Sequence, residues 1–459
     1  MLVSDRVPRF AARVIALAIT LTACSSDAPL SPSRTLQGSV AGDATMAQQV
    51  RALALSRGFT PLPAPPHVTP ELVRLGQALA FDPVLSGDER VACMTCHNVG
   101  YETGDARRLS IGEGGVGIGP DRTHPDGVNI PRNAPSLFNA WALRSLFWDG
   151  RVSMDGLGIL HTPAGVQLTP RMRRALQYGA ISAIGMFPVM NRHEMRGDNT
   201  NPMARLPDDA FAAVWTALMQ RLGSIPEYRQ MFEAAYPGQT FDEMTFANAS
   251  NAMAAFFIDR FTFGNTPWDR FLAGDDGALT ADQLEGAQLF LNLRCSQCHS
   301  GALLSDGQFH NVALAQFGPG EGDGASGHED FGRFDVDHLP SHRYAYRTTP
   351  LRNVELTGPY GHAGQFTSLR AFIAHYSASD AALRAYDPTQ LEPMLQGTFQ
   401  NDIDAILSTR DPLLNGVVLT DDQVDRLTAY MQSLTDPAAR SLADRAPARV
   451  PSGLPVGGG

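Results

Sequence analysis

Cys93-Met94-Thr95-Cys96-His97 and Cys295-Ser296-Gln297-Cys298-His299 are two copies of one five-residue pattern, and their reading decides what kind of chain this is. Two thiols two residues apart add across the two vinyl groups of a haem, and the histidine that follows at once reaches the iron, so the chemistry fixes the spacing. A CxxC spacing by itself also serves a zinc site, a redox dithiol or a structural disulfide. The cysteine arithmetic separates these readings. Of five cysteines, four fall in the two motifs and the fifth, Cys24, lies in a leader. The expectation is two covalently bound haem c groups, held by Cys93, Cys96 and His97 and by Cys295, Cys298 and His299.

The leader is read from Arg6, Arg9 and Arg13, an apolar run from Val14 to Leu21, and then Leu21-Thr22-Ala23-Cys24. That run is short of the about 20 residues a bilayer span needs, so residues 1–23 read as an export signal. Leu-Thr-Ala-Cys resembles the bacterial lipoprotein box, in which the cysteine becomes the lipid-bearing first residue. Several acyl chains anchor stably where one is marginal, since each buried methylene contributes ~0.8 kcal/mol. Ser25 resembles the outer-membrane sorting pattern. The expected location is the periplasm, lipid-anchored at the outer membrane, with residues 24–45 as a flexible tether.

The chain of 459 residues is longer than one core usually supports. Its net charge of -11 excludes a nucleic-acid partner, which needs a basic face, and suits a basic protein partner. Thr69-Pro70-Glu71 starts a helix with Leu72, Leu75 and Leu79 on one side, leading into the first motif. Thr280-Ala281-Asp282-Gln283 is a capping box whose helix carries Leu284 and Leu291 into the second. A third box at Thr420–Gln423 opens a helix with Val424, Leu427, Met431 and Leu434 inward, expected to pack on the Thr280 helix. The fold class is therefore mainly α, with two cytochrome c-like haem domains and long loops. Residues 46–275 form the first domain, with insertions that include 152–183, and residues 276–440 the second. Residues 441–459 form a C-terminal arm, and the glycine-rich stretch 316–330 reads as a surface loop.

With both motifs placed, further stretches resemble the bacterial dihaem cytochrome c peroxidase and MauG family. They are Phe81-Asp82-Pro83 with Leu85-Ser86-Gly87, Pro131-Arg132-Asn133, Phe147-Trp148-Asp149-Gly150-Arg151, and Leu351-Arg352-Asn353-Val354 running to Pro359-Tyr360. The resemblance implies two facing haem domains with a calcium ion between them, held by Asn133 and the carbonyls of Thr357 and Pro359. It makes Trp148 the relay between the haems and Glu194, in Pro188-Val189-Met190-Asn191-Arg192-His193-Glu194-Met195, the distal acid/base group.

Three departures from the peroxidase pattern stand out. Ser110-Ile111-Gly112 is followed by Glu113 where those peroxidases have a histidine capping the first haem, so the first iron is expected to be open, unless His124 reaches it. The distal glutamine position falls on Ile184. The second haem's sixth ligand falls on Tyr376, fourteen residues after His362, where peroxidases have methionine and MauG has tyrosine; Met394 is the alternative ligand. The leading reading is a peroxidase reducing hydrogen peroxide with electrons from a small cytochrome c or cupredoxin, and peroxidases of this type are often homodimers. A MauG-like oxidase acting on a protein or organic substrate, and a non-catalytic electron-transfer lipoprotein, are the alternatives.

Overall fold

In the computed structural model, residues 45–198 and 201–458 are described. The leader, Cys24 and all but the last residue of the tether lie outside the described residues. The described chain is helix-rich, as expected. Its strands form a three-stranded antiparallel sheet, Ser145–Leu146, Val152–Met154 and Leu160–His161, and a two-stranded one pairing Phe309–His310 with Tyr346–Arg347. Among the described residues no helix is long and apolar enough to cross a membrane.

The helix starts read from sequence form as capped helices. The Thr69 side chain accepts from Leu72 N–H at the head of Pro70–Phe81, and Thr280 and Thr420 close capping boxes on Ala281–Asn292 and Asp421–Ser433. Leu72, Leu75 and Leu79 are buried, as are Leu291, Val424, Leu427, Met431 and Leu434. Each such side chain removed from water is worth about 1.5–3 kcal/mol.

Among the described residues, the two larger apolar cores form around these helices. In the first, Pro70–Phe81 crosses Phe246–Arg260 so closely that a Cβ on Gly76 would lie 1.9 Å from the Ala252 carbonyl oxygen. In the second, Ala281–Asn292 crosses Asp421–Ser433, and a Cβ on Gly286 would lie 2.0 Å from that of Arg426. Each haem motif thus follows a helix clamped by a second helix at a glycine contact.

The chain ends exchange cores. Met46–Ser56 puts Ala47, Val50 and Ala54 into the second core, beside Trp268 and Phe290. The stretch 441–459, read as an arm, is strapped to the first core through Leu442 and Val450. Gly457 N–H bonds the Phe81 carbonyl at 2.7 Å, and Ser452 Oγ donates to Asp82 Oδ1 at 2.6 Å. The glycine-rich stretch also departs from expectation. It is no surface loop along its whole length: Gln316, Phe317 and Asp330 are buried, and Arg132 forks onto the Asp330 carboxylate with two bonds of 2.7 Å.

Candidate active site

Each motif is a single short helical turn, Cys93–Cys96 or Cys295–Cys298, that brings both thiols and the following histidine to the wall of a cavity. The first cavity is about 140 Å³ and the second about 230 Å³. His97 Nδ1 lies 3.1 Å from the Thr103 carbonyl oxygen and His299 Nδ1 lies 3.0 Å from that of Leu304. A ring nitrogen beside a carbonyl oxygen must carry its proton, which leaves Nε2 as the lone-pair donor of each imidazole. Burial lowers both histidine pKa values and so keeps the rings neutral. Two cysteines and one neutral, oriented imidazole per cavity fit a covalently attached haem.

Trp148 lines both cavities. It sits in the turn joining Ser145–Leu146 to Val152–Met154, where Phe147 takes a left-handed φ of +64° that a bulky residue rarely adopts. The indole Nε1–H donates to the Asn133 carbonyl at 2.8 Å, and the Trp148 carbonyl accepts from Arg347 N–H at 2.8 Å. Both bonds hold the ring in the partition between the cavities.

Glu194 also lines the first cavity, with Arg151, Ile184 and Glu321. It rides on a π-turn, Arg192–Arg196, started by Asn191, whose side chain accepts from the N–H groups of His193 and Glu194. Such turns mark places where a helix is bent to aim one side chain. Burial pushes the Glu194 carboxyl up to about 7, against the pull of Arg151 and Arg132. At neutral pH it both accepts and releases a proton readily.

Glu113, where the capping histidine would stand, turns away from this cavity. Its Oε1 accepts from Asp88 N–H at 2.6 Å, and its own N–H bonds the His193 carbonyl at 3.0 Å. Buried Arg122 pins the same loop through the carbonyls of Ile111, Gly112 and Gly117 at 2.7–2.8 Å. His124 is not part of the cavity wall, and its Nδ1 accepts from Asp126 N–H at 3.0 Å. Ile184 does line the wall, so that position offers no hydrogen bond.

In the second cavity Tyr376, at the end of the Leu369–His375 helix, stands in the wall with Cys295 and Cys298, and burial raises its pKa well above the usual phenol value. Met394 is exposed and outside the wall. Asn133, Thr357 and Pro359 all line this same cavity. The Asn133 Nδ2 donates to the carbonyls of Arg107 and Arg108 at 2.8 and 3.2 Å, and an amide oxygen is the kind of ligand atom a hard cation takes.

Some residues of the site carry no local signal. Arg132 reaches Asp149 at 2.5 Å as well as Asp330, and His310 is clamped by Asp306 at 3.0 Å and Asp411 at 2.5 Å; Asp306, then the Cys298 sulfur and Asp411, hold its pKa up to about 11 against burial. Asp330 lies 198 residues from Arg132 and Asp411 lies 101 from His310, beyond the reach of spacing arguments.

The model of the family described as di-haem cytochrome c peroxidase matches residues 70–277. The cytochrome c551 peroxidase of Pseudomonas aeruginosa is 33% identical over 300 residues, covering 65% of this chain and 70% of that protein. The methylamine utilization protein MauG of Methylorubrum extorquens is 28% identical over 354 residues, covering 74% and 80%. Among solved structures, a MauG-like protein associated with microbial copper homeostasis superposes with a TM-score of 0.59 at 22% identity, covering 85% of this chain and 97% of the other. The diheme peroxidase BthA of Burkholderia thailandensis gives 0.57 at 20% identity, covering 83% and 90%. With two haem-competent cavities sharing one tryptophan, and a relative this similar over two thirds of its length, the chain belongs to the di-haem cytochrome c peroxidase family.

Proposed function

We propose that this protein is a periplasmic dihaem peroxidase, tethered by lipid on Cys24, that reduces hydrogen peroxide to water with electrons from a small cytochrome c or cupredoxin. The observation that carries the reading is Glu194, a carboxyl held near neutral pH in the cavity that also holds His97. Cys93 and Cys96 bind the first haem and Cys295 and Cys298 the second, with His97 and His299 as iron ligands. The haems supply peroxide binding and electron storage. The chain's own work is acid/base chemistry: Glu194 accepts the proton from the inner peroxide oxygen and returns it to the outer one, so that the leaving group departs as water. Trp148, in the partition, relays electrons between the sites. Asn133 with the carbonyls of Thr357 and Pro359 holds calcium at that partition. We divide the body near residue 275 into two haem domains, with Met46–Ser56 packed on the second.

A second reading rests on Tyr376. An anionic oxygen ligand stabilises ferric and higher iron and makes a poor electron reservoir, which favours a MauG-like oxidase that removes electrons from a protein or organic substrate. Steady-state turnover with peroxide and reduced cytochrome c decides between them. Sustained oxidation of the cytochrome that Glu194→Gln abolishes supports the peroxidase; peroxide consumption without cytochrome oxidation supports the oxidase.

A further inference from the structure

The glycine-rich stretch 316–330 carries one side chain, Glu321, into the wall of the first cavity, although it belongs to the part of the chain that follows the second haem motif. The turn is built for this. Gly320 has φ +65°, and a Cβ there would lie 2.1 Å from the His328 carbonyl oxygen. The N–H groups of Glu321 and Asp323 both bond the Glu329 carbonyl, at 3.0 and 3.2 Å, and Glu329 N–H returns to the Asp323 carbonyl at 3.1 Å. Arg132 anchors the base through Asp330, and its Nε lies 3.5 Å from Glu321 Oε1. The Glu321 side chain keeps 34% of its surface in solvent while lining the cavity that holds Glu194. It therefore faces both water and the reaction space.

Reduction of one peroxide to two waters consumes two electrons and two protons. Trp148 accounts for the electrons. Glu194 moves a proton within the cavity and must be recharged from outside once per proton consumed. Resting on the peroxidase reading, we propose that Glu321 is the proton entry of the first cavity. The Glu321 carboxyl passes its proton through water in the shared cavity to the Glu194 carboxylate and is reprotonated from bulk water, and two passages per peroxide balance the two electrons. The charged groups facing Glu321 are Arg132 and Arg151 on one side of the balance and Asp149, Asp330 and Glu194 on the other. Burial raises the proton affinity of both carboxyls, and the charge on Glu321 raises that of Glu194 further, so the transfer runs between groups pushed in the same direction.

The test uses the haem-loaded full chain with Glu321→Gln, which keeps the shape and loses the titration, and Glu321→Asp, which keeps an acid. At saturating peroxide and reduced cytochrome c, E321Q turnover is expected to fall at least about tenfold. It recovers as the concentration of a bulky morpholine sulfonate buffer is raised, whereas E321D stays near wild type and insensitive to buffer. Independently of turnover, the pH midpoint for cyanide association with the ferric protein, set by Glu194, is expected to move down by about half a pH unit in E321Q because a negative neighbour is gone. Wild-type turnover with an E321Q variant of equal rate, equal buffer response and unmoved midpoint overturns the relay alone. A wild-type protein that does not turn over peroxide overturns the peroxidase reading and the relay with it.

Discussion

Replacing Glu194 by glutamine tests acid/base function and electrostatic cost in one variant. The carboxyl is raised from 4.5 to about 7, and at ~1.4 kcal/mol for each tenfold change in proton affinity, ionising it in the folded protein costs about 3 kcal/mol. The raised value means that the native state holds a proton the unfolded state has released. Wild-type stability relative to E194Q is therefore equal below pH 4.5, declines as pH rises to 7, and stays lower by about 3 kcal/mol above it. Denaturant melts of the two haem-loaded proteins at pH 4.5, 6 and 8 read this directly. In activity, the ionised form is needed to accept the proton, so wild-type kcat/KM for peroxide rises with pH through a midpoint near 7. E194Q loses that limb and about 10²–10⁴-fold in rate. A stability difference independent of pH, or an ascending limb that survives in E194Q, refutes the assignment.

Trp148→Phe removes the 2.8 Å bond to the Asn133 carbonyl, costing about 1 kcal/mol of stability, and slows cytochrome-driven turnover while leaving the initial reaction with peroxide near wild type in stopped-flow traces. Tyr376→Met exchanges an oxygen for a thioether in the second cavity and raises that haem's potential by on the order of 100 mV in a redox titration. An unmoved potential removes Tyr376 as a ligand. Gly76→Ala drives a methyl into the Ala252 carbonyl and lowers stability by about 1–3 kcal/mol, measured by the shift in denaturant midpoint.

The two haem motifs were legible because covalent chemistry leaves no freedom in their spacing, and the helices before them because caps and one-sided leucines are local signals. Phe246–Arg260 has a start signal, with Asn248 Oδ1 accepting from Thr245 N–H, but no one-sided pattern. Its residues from Phe246 to Ile258 are all buried, so it shows no polar face to mark a period, and only the contact with Gly76 reveals it as the closing helix of the first core. Glu321 and the Arg132–Asp330 pair were illegible for a different reason: each joins the first cavity to a loop about two hundred residues away, and a loop's composition does not say what it lies against. The exposed Met394, and His124 outside the cavity wall, show the converse, a residue of suitable chemistry that the fold carries elsewhere.

The proposed chemistry requires the two haems to be unequal, with an open iron at His97 and a closed one at His299. Electron paramagnetic resonance of the ferric, haem-loaded protein measures it most directly. The expected result is a high-spin signal from the first haem alongside a low-spin signal from the second, with Tyr376→Phe converting the second to high spin. Two low-spin signals with no high-spin component would contradict it.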